Sequence, residues 1–118
     1  MNLELTEIPR VFNVNGIDIK DYGKIELSND EMISFKTKSS KEYDFTAKEW
    51  GFYASASMNG RLKNEGFKMA LVVNEQNMVY VMAVEKNKIE IFKKYLKDNQ
   101  DNRLVCWLDE FFTFEEEL

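Results

Sequence analysis

The sequence contains no histidine and only one cysteine, and these two shortages restrict the chemistry that it can perform. Imidazole is the usual general base at neutral pH and a common ligand of first-row metals. Zinc sites of the usual types and nucleophiles activated by histidine are therefore excluded. Catalysis would have to use aspartate, glutamate, lysine, tyrosine or Cys106. The sequence therefore favours a protein that is not an enzyme, with no catalytic residue, no metal and no cofactor.

The lone cysteine also bears on location, because one cysteine forms no internal disulfide. Cys106 lies in the apolar run LVCWL, where an inert core thiol is expected. The N-terminus has no basic stretch followed by an apolar one, so no signal peptide is expected. No apolar run approaches the roughly 18–20 residues that a membrane-spanning helix needs. These features predict a cytoplasmic protein that does not enter a membrane.

Most of the chain has no excess of either positive or negative charge. Residues 1–100 carry 15 acidic and 15 basic side chains, whereas residues 101–118 carry six acidic side chains and only Arg103 as a base. The net charge of −5 therefore belongs to the C-terminal part. Residues 1–100 have no net charge and thus no general attraction for a phosphate backbone, so nucleic-acid binding is not expected.

Linkers, repeats and low-complexity segments are absent, and the 118 residues contain a single proline. This length predicts one globular domain over residues 1–108, followed by an acidic aromatic tail over 109–118. Apolar and polar residues alternate through most of the first 54 positions, which is typical of antiparallel strands with one wet face. Asn15-Gly16 separates two such runs and predicts a two-residue hairpin turn, with Val14 opposite Ile17 and Phe12 opposite Ile19.

Two later segments break this pattern. The nearly continuous apolar runs of residues 69–73 and 78–84 predict a hairpin covered on both faces. Residues 87–98 predict a helix whose apolar face contains Ile89, Phe92 and Leu96, flanked by Ile91 and Tyr95. The predicted fold class is therefore α+β, with a mostly antiparallel curled sheet or half-barrel of about 6–8 short strands, one short helix near 57–65 and a C-terminal helix near 87–98.

The segment GFYASASMNGRLKNEGFK, residues 51–68, is the first candidate site. Ser57 is positioned to cap a short helix and Gly66 to end it in the left-handed conformation. A helix N-terminus with nearby hydroxyl and basic groups suits phosphate or carboxylate. The candidate ligand-binding residues are Tyr53, Ser55, Ser57, Asn59, Gly60, Arg61 and Lys63. The alternative, which we favour, is an ordinary connecting turn with solvated basic side chains, because no known phosphate motif is present.

Two further segments could bind a partner. Phe111, Phe112 and Phe114 lie beside three glutamates and could enter a groove on another protein, or could pack on the domain's own sheet instead. Lysines of the last helix could meet an acidic partner or a phosphate backbone, although a solvated face is the better interpretation of Lys86, Lys93, Lys94 and Lys97.

The leading functional hypothesis is a small, non-catalytic interaction or accessory module that self-associates or docks on a partner protein. The alternative is a binding module for an anionic small molecule, such as a nucleotide, sugar phosphate or sugar nucleotide, at the helix N-terminus within residues 53–68. An enzyme using carboxylate, lysine or tyrosine chemistry ranks third, because no feature of the sequence supports it directly.

Overall fold

The computed structural model of the chain describes residues 1–100 and 102–111, without the side chains of Asn99, Gln100 and Phe111. Within that part lie eight strands and three short α-helices, so the predicted α+β class is confirmed. The strands are β1 (Asn2–Val14), β2 (Ile17–Glu26), β3 (Met32–Lys36), β4 (Glu42–Lys48), β5 (Gly51–Ala54), β6 (Phe67–Val73), β7 (Val79–Glu85) and β8 (Arg103–Trp107). The helices are α1 (Arg61–Glu65), α2 (Ile89–Tyr95) and α3 (Leu108–Phe111).

The described strands form three open antiparallel sheets. One sheet contains only β1 and β2, the second has the order β3-β4-β5, and the third has the order β7-β6-β8. A 3₁₀ turn, Lys86–Lys88, leads into α2, and a π-helical turn, Leu96–Gln100, follows it. The predicted helix near 87–98 is therefore present as three consecutive helical segments of different pitch.

The chain divides into two compact units. The first unit consists of Met1–Ser34 and Asp44–Ser55, and the second consists of Phe35–Tyr43 and the chain from Ala56 onward. The boundary therefore falls within β3 and within β4. A single domain over 1–108 stays a prediction, as does the tail over 109–118.

In the first unit, β1 and β2 form the hairpin that the sequence predicts. Asn15 and Gly16 both have positive φ, 50° and 86°, and the pairs Val14–Ile17 and Phe12–Ile19 are confirmed. Asn13 stabilises the turn, because its Oδ1 accepts a hydrogen bond from the Gly16 N–H at 2.9 Å. Farther from the turn, the ladder is interrupted by an irregularity between Leu5 and Arg10.

The core of the second unit forms where α2 packs on the β7-β6-β8 sheet. Its buried residues are Ala70, Val72, Val84 and Leu96. Packed against them are six partly buried side chains, those of Met82, Ile89, Phe92, Tyr95, Leu104 and Trp107. The predicted apolar face of the helix is thus confirmed for Ile89, Phe92, Tyr95 and Leu96. Ile91, however, is exposed, because it lies outside the stripe that faces the sheet.

The prediction that residues 69–73 and 78–84 are covered on both faces is correct for the first run, in β6, and wrong for the second, in β7. β6 lies between two strands and most of its side chains are buried. β7 is an edge strand, and its side chains are exposed at Val79, Tyr80 and Val81. Both strands are equally apolar in sequence, so the difference comes from their positions in the sheet and not from their composition.

Candidate interaction surface

Five of the predicted ligand-binding residues lie in the second unit, at the start of α1. The predicted cap is wrong, because α1 begins at Arg61 with Gly60 as its N-cap and no side chain caps it. The Ser57 carbonyl instead accepts hydrogen bonds from the N–H groups of Gly60, at 3.2 Å, and Leu62, at 3.0 Å. With only five residues, α1 is too short to provide the dipole of a longer helix.

The glycine at position 60 has a local structural explanation. A Cβ atom added there would lie 2.5 Å from the Ser57 Oγ, so the hydroxyl occupies the space that a side chain would need. Asn59, Arg61 and Lys63 are exposed side chains of this turn. The predicted end of the helix is confirmed, because Gly66 has a φ of 100° and its N–H bonds the carbonyls of α1.

The two remaining predicted residues, Tyr53 and Ser55, belong to the first unit. The Ser55 hydroxyl is 2.6 Å from that of Thr46, so it has a partner within its own unit. The Tyr53 ring stacks on Trp50 with centroids 6.2 Å apart. The seven residues are therefore divided between the two compact units, and an anion site over 53–68 stays a prediction.

The predicted partner-binding phenylalanines fall at the end of the described chain. Phe111 is the last residue of α3, and its side chain is not among those described. Phe112 and Phe114 lie outside the described residues altogether. Their role in binding a partner stays a prediction. Of the neighbouring acids, Asp109 has a described role, because its Oδ2 forms a 3.1 Å ion pair with Lys68.

The clearest candidate surface is on the β1–β2 hairpin. Residues directly opposite each other in an antiparallel pair share a face, and successive residues alternate between faces. Phe12, Val14, Ile17 and Ile19 therefore lie on one side, which we call the hairpin face. Val11, Asn13, Asp18 and Lys20 lie on the other side, and only Val11 among these is apolar.

The hairpin buries none of its residues, even though it is rich in apolar side chains. Those large apolar side chains that are clearly exposed in β1 and β2 are Leu3, Leu5, Ile8, Val11, Phe12, Val14, Ile19 and Tyr22. A two-stranded hairpin is marginally stable in water unless further strands or a helix cover its apolar face. An exposed apolar surface of this kind is typical of a site of association.

An ion pair lies next to the hairpin face. The Arg10 guanidinium bonds the Asp21 carboxylate at 3.0 Å and also lies 5.0 Å from the centre of the Phe12 ring. Asp21 in addition accepts a hydrogen bond from the Gly23 N–H at 3.0 Å. That bond, and then the bond from Arg10, lower the pKa of Asp21 below its ordinary value of 3.8. Both charges thus have partners within the hairpin.

The sequence carried the signal for this surface. Its alternation predicts the hairpin and its cross-strand pairs, as part of a larger, mostly antiparallel curled sheet. What the sequence missed is that β1 and β2 pair only with each other among the described strands. Strand partners depend on the three-dimensional arrangement, whereas alternation shows only that one side of a strand is apolar.

Comparisons with protein-family models, with curated proteins and with solved structures found no match. None of the helices in the described residues is long and apolar enough to cross a membrane. In the same part of the chain, no group of three or more acidic or cysteine side chains is arranged to hold a metal ion. The hairpin face is therefore judged on its geometry alone.

Proposed function

We propose that this protein is a non-catalytic interaction module that self-associates through the hairpin face. The observation that carries the proposal is the exposure of Phe12, Val14 and Ile19 of this face, on a sheet that has two strands among the described residues. Covering it with another protein surface removes apolar area from water, at roughly 25 cal/mol for each Å² buried. It also supplies the packing that an isolated hairpin lacks.

A second copy of the chain is a suitable occupant of this face. Two-fold dimers bring the same patch of both subunits together, so a patch that binds itself must bury no unpaired charge. On the hairpin the positive charge of Arg10 and the negative charge of Asp21 already neutralise each other within one chain. The apolar residues beside them can therefore meet their counterparts without leaving a charged group alone.

The test uses two matched substitutions on opposite sides of one hairpin. Ile19 and Val11 are both β-branched and exposed, at 41% and 53%, but only Ile19 belongs to the hairpin face. Light scattering across a range of concentrations should show an oligomer for the wild-type chain and for Val11→Ser. Ile19→Ser should shift it to monomer. A monomeric wild-type chain, or equal effects of the two substitutions, would contradict the proposal.

The predicted role of the aromatic tail can be separated from that of the hairpin. Deleting residues 109–118 also removes Asp109, which pairs with Lys68, so the deletion alone is ambiguous. Replacing Phe112 and Phe114 together by serine leaves that pair in place. We expect this double variant to keep the oligomeric state of the wild-type chain if the hairpin face is the contact surface. Loss of the oligomer would assign association to the tail.

A further inference from the structure

A cavity of about 440 Å³ opens in the second unit beside the π-helical turn that follows α2. Its lining residues are Lys93, Leu96, Lys97, Asn102 and Leu104. This volume is within the range of about 300–1,000 Å³ that is usual for small-molecule sites. None of these lining residues belongs to the segment over 53–68, in which the sequence predicted an anion site.

Two lysines give the lining of this cavity a positive charge. Lys93 and Lys97 are four residues apart, so two like charges lie on adjacent turns and repel each other. Several other lysines pair with an acid, including the intervening Lys94, which bonds Asp98 at 3.0 Å. Among the described residues, no acidic side chain pairs with Lys93 or Lys97. A bound anion would relieve this repulsion.

The backbone holds a polar side chain next to these lysines. The Asn102 N–H donates a hydrogen bond to the Leu96 carbonyl at 3.1 Å, which fixes Asn102 at the end of the π-helical turn. Its side-chain Oδ1 is buried and accepts no hydrogen bond within the described part of the chain. A buried acceptor without a donor is costly, so a turn of this amide that brings the oxygen to an N–H or O–H group of a ligand would be favoured. Helical segments of π type are rare and often occur at functional sites.

We propose that this cavity binds a small organic anion. Lys93 and Lys97 would hold its carboxylate or phosphate, and the Asn102 amide would meet a donor group next to it. Leu96 and Leu104 would pack against an apolar part of the molecule. The inference is independent of association through the hairpin face, which lies in the first unit.

The test compares two probes of nearly the same shape, of which only one carries a negative charge. N-acetyl-L-leucine has a carboxylate, an amide N–H and an apolar side chain, whereas N-acetyl-L-leucinamide lacks the negative charge. In ¹⁵N-resolved NMR of the full chain, the acid should shift the backbone amide signals of the cavity residues in a saturable way, and the neutral amide should not. Equal shifts from both probes would overturn the proposal. So would the absence of shifts from the acid at about 20 mM, a limit that corresponds to about 2.3 kcal/mol of binding free energy.

Substitutions then assign the binding to the lysines. Lys93→Gln combined with Lys97→Gln should weaken binding of the acid by about tenfold or more. Lys94→Gln is the matched control, because Lys94 is on the same helical segment but does not line the cavity. Unchanged binding in the double variant would contradict the proposal. If the double variant does not fold, the wild-type chain still decides: higher ionic strength should weaken binding of the acid, and salt-independent binding would count against the lysines.

Discussion

Two glycines of the hairpin share a positive φ but have very different surroundings. Gly16 in the turn and Gly23 in β2 both have positive φ, 86° and 123°. A Cβ atom at Gly16 would meet nothing within 4 Å, whereas one at Gly23 would lie 2.0 Å from the backbone oxygen of Glu4. Gly16 is therefore required for its conformation alone, and Gly23 both for its conformation and for the close approach of β1.

This contrast predicts different costs of the same substitution. Gly16→Ala should lower the free energy of unfolding by about 1–2 kcal/mol, the usual cost of a left-handed alanine. Gly23→Ala should cost about 3 kcal/mol or more, because the backbone of β1 must move as well. Urea unfolding measures both values. All samples should have the same protein concentration, so that the contribution of association to the free energy of unfolding is comparable between them. Equal costs would show that the close contact with Glu4 is unimportant.

The charged carboxylate of Asp21 makes the stability of the hairpin depend on pH. Its lowered pKa means that the folded state favours the charged carboxylate, so its contribution to stability is complete above the ordinary value of 3.8. That contribution is lost as the pH falls through the lowered pKa of the folded protein. Arg10→Gln should raise the pKa of Asp21 only part of the way, because the stronger cause, the hydrogen bond from the Gly23 N–H, remains. NMR titration of the carboxyl carbon measures this, and an unchanged pKa would exclude a role for Arg10.

Among the elements, α3 is anchored to the sheet of the second unit by Lys68, which pairs with the poorly exposed Asp109 and, at 3.5 Å, with the exposed Glu110. Lys68 of β6 bonds Asp109 of α3 at 3.1 Å, and its ammonium group lies 5.3 Å from the centre of the Trp107 ring. The side chains of Lys68 and Asp109 are only 16% and 13% exposed. Removing one partner from such a pair leaves a poorly solvated charge, which usually costs more than the pair itself contributes.

Lys68→Met should therefore lower the free energy of unfolding by about 3 kcal/mol, and adding Asp109→Leu should restore most of that loss. The control is Lys94→Met, which breaks the exposed pair with Asp98 and should cost no more than about 0.5 kcal/mol. Chemical denaturation of all four proteins gives the comparison. If the Lys68 and Lys94 variants lose the same stability, burial of the Lys68 pair is of no consequence.

The elements also show how far the sequence could predict the structure. Local signals were sufficient for the Asn15-Gly16 turn, for its flanking pairs and for the end of α1 at Gly66, because neighbouring residues determine these features. The start of α1 was predicted wrongly, since Ser57 is a good cap in isolation but uses its carbonyl and not its side chain. The exposure of β7 was missed because its position at the edge depends on distant strands. The cavity was missed for the same reason, as it brings residues of a helix and of β8 together.

For the molecule as a whole, we expect that much of the apolar surface is covered only when chains associate. The hairpin face belongs to a sheet that has no third strand among the described residues. Association through it should also stabilise the hairpin, because a partner that binds only the folded form shifts the folding equilibrium. The exposed edge of β7 is a second apolar surface, so the location of the contact must be measured and not only its existence.

The most direct measurement is an isotope-filtered NMR experiment on a mixture of labelled and unlabelled chains, which detects contacts between protomers only. If the chains associate through the hairpin face, these contacts involve the methyl groups of Val14, Ile17 and Ile19 and the ring of Phe12. They should disappear in Ile19→Ser and persist in Val11→Ser. Contacts that arise instead from Val79 and Val81 of β7, or the absence of any contact between protomers, would contradict the assignment of the hairpin face as the surface through which this protein associates.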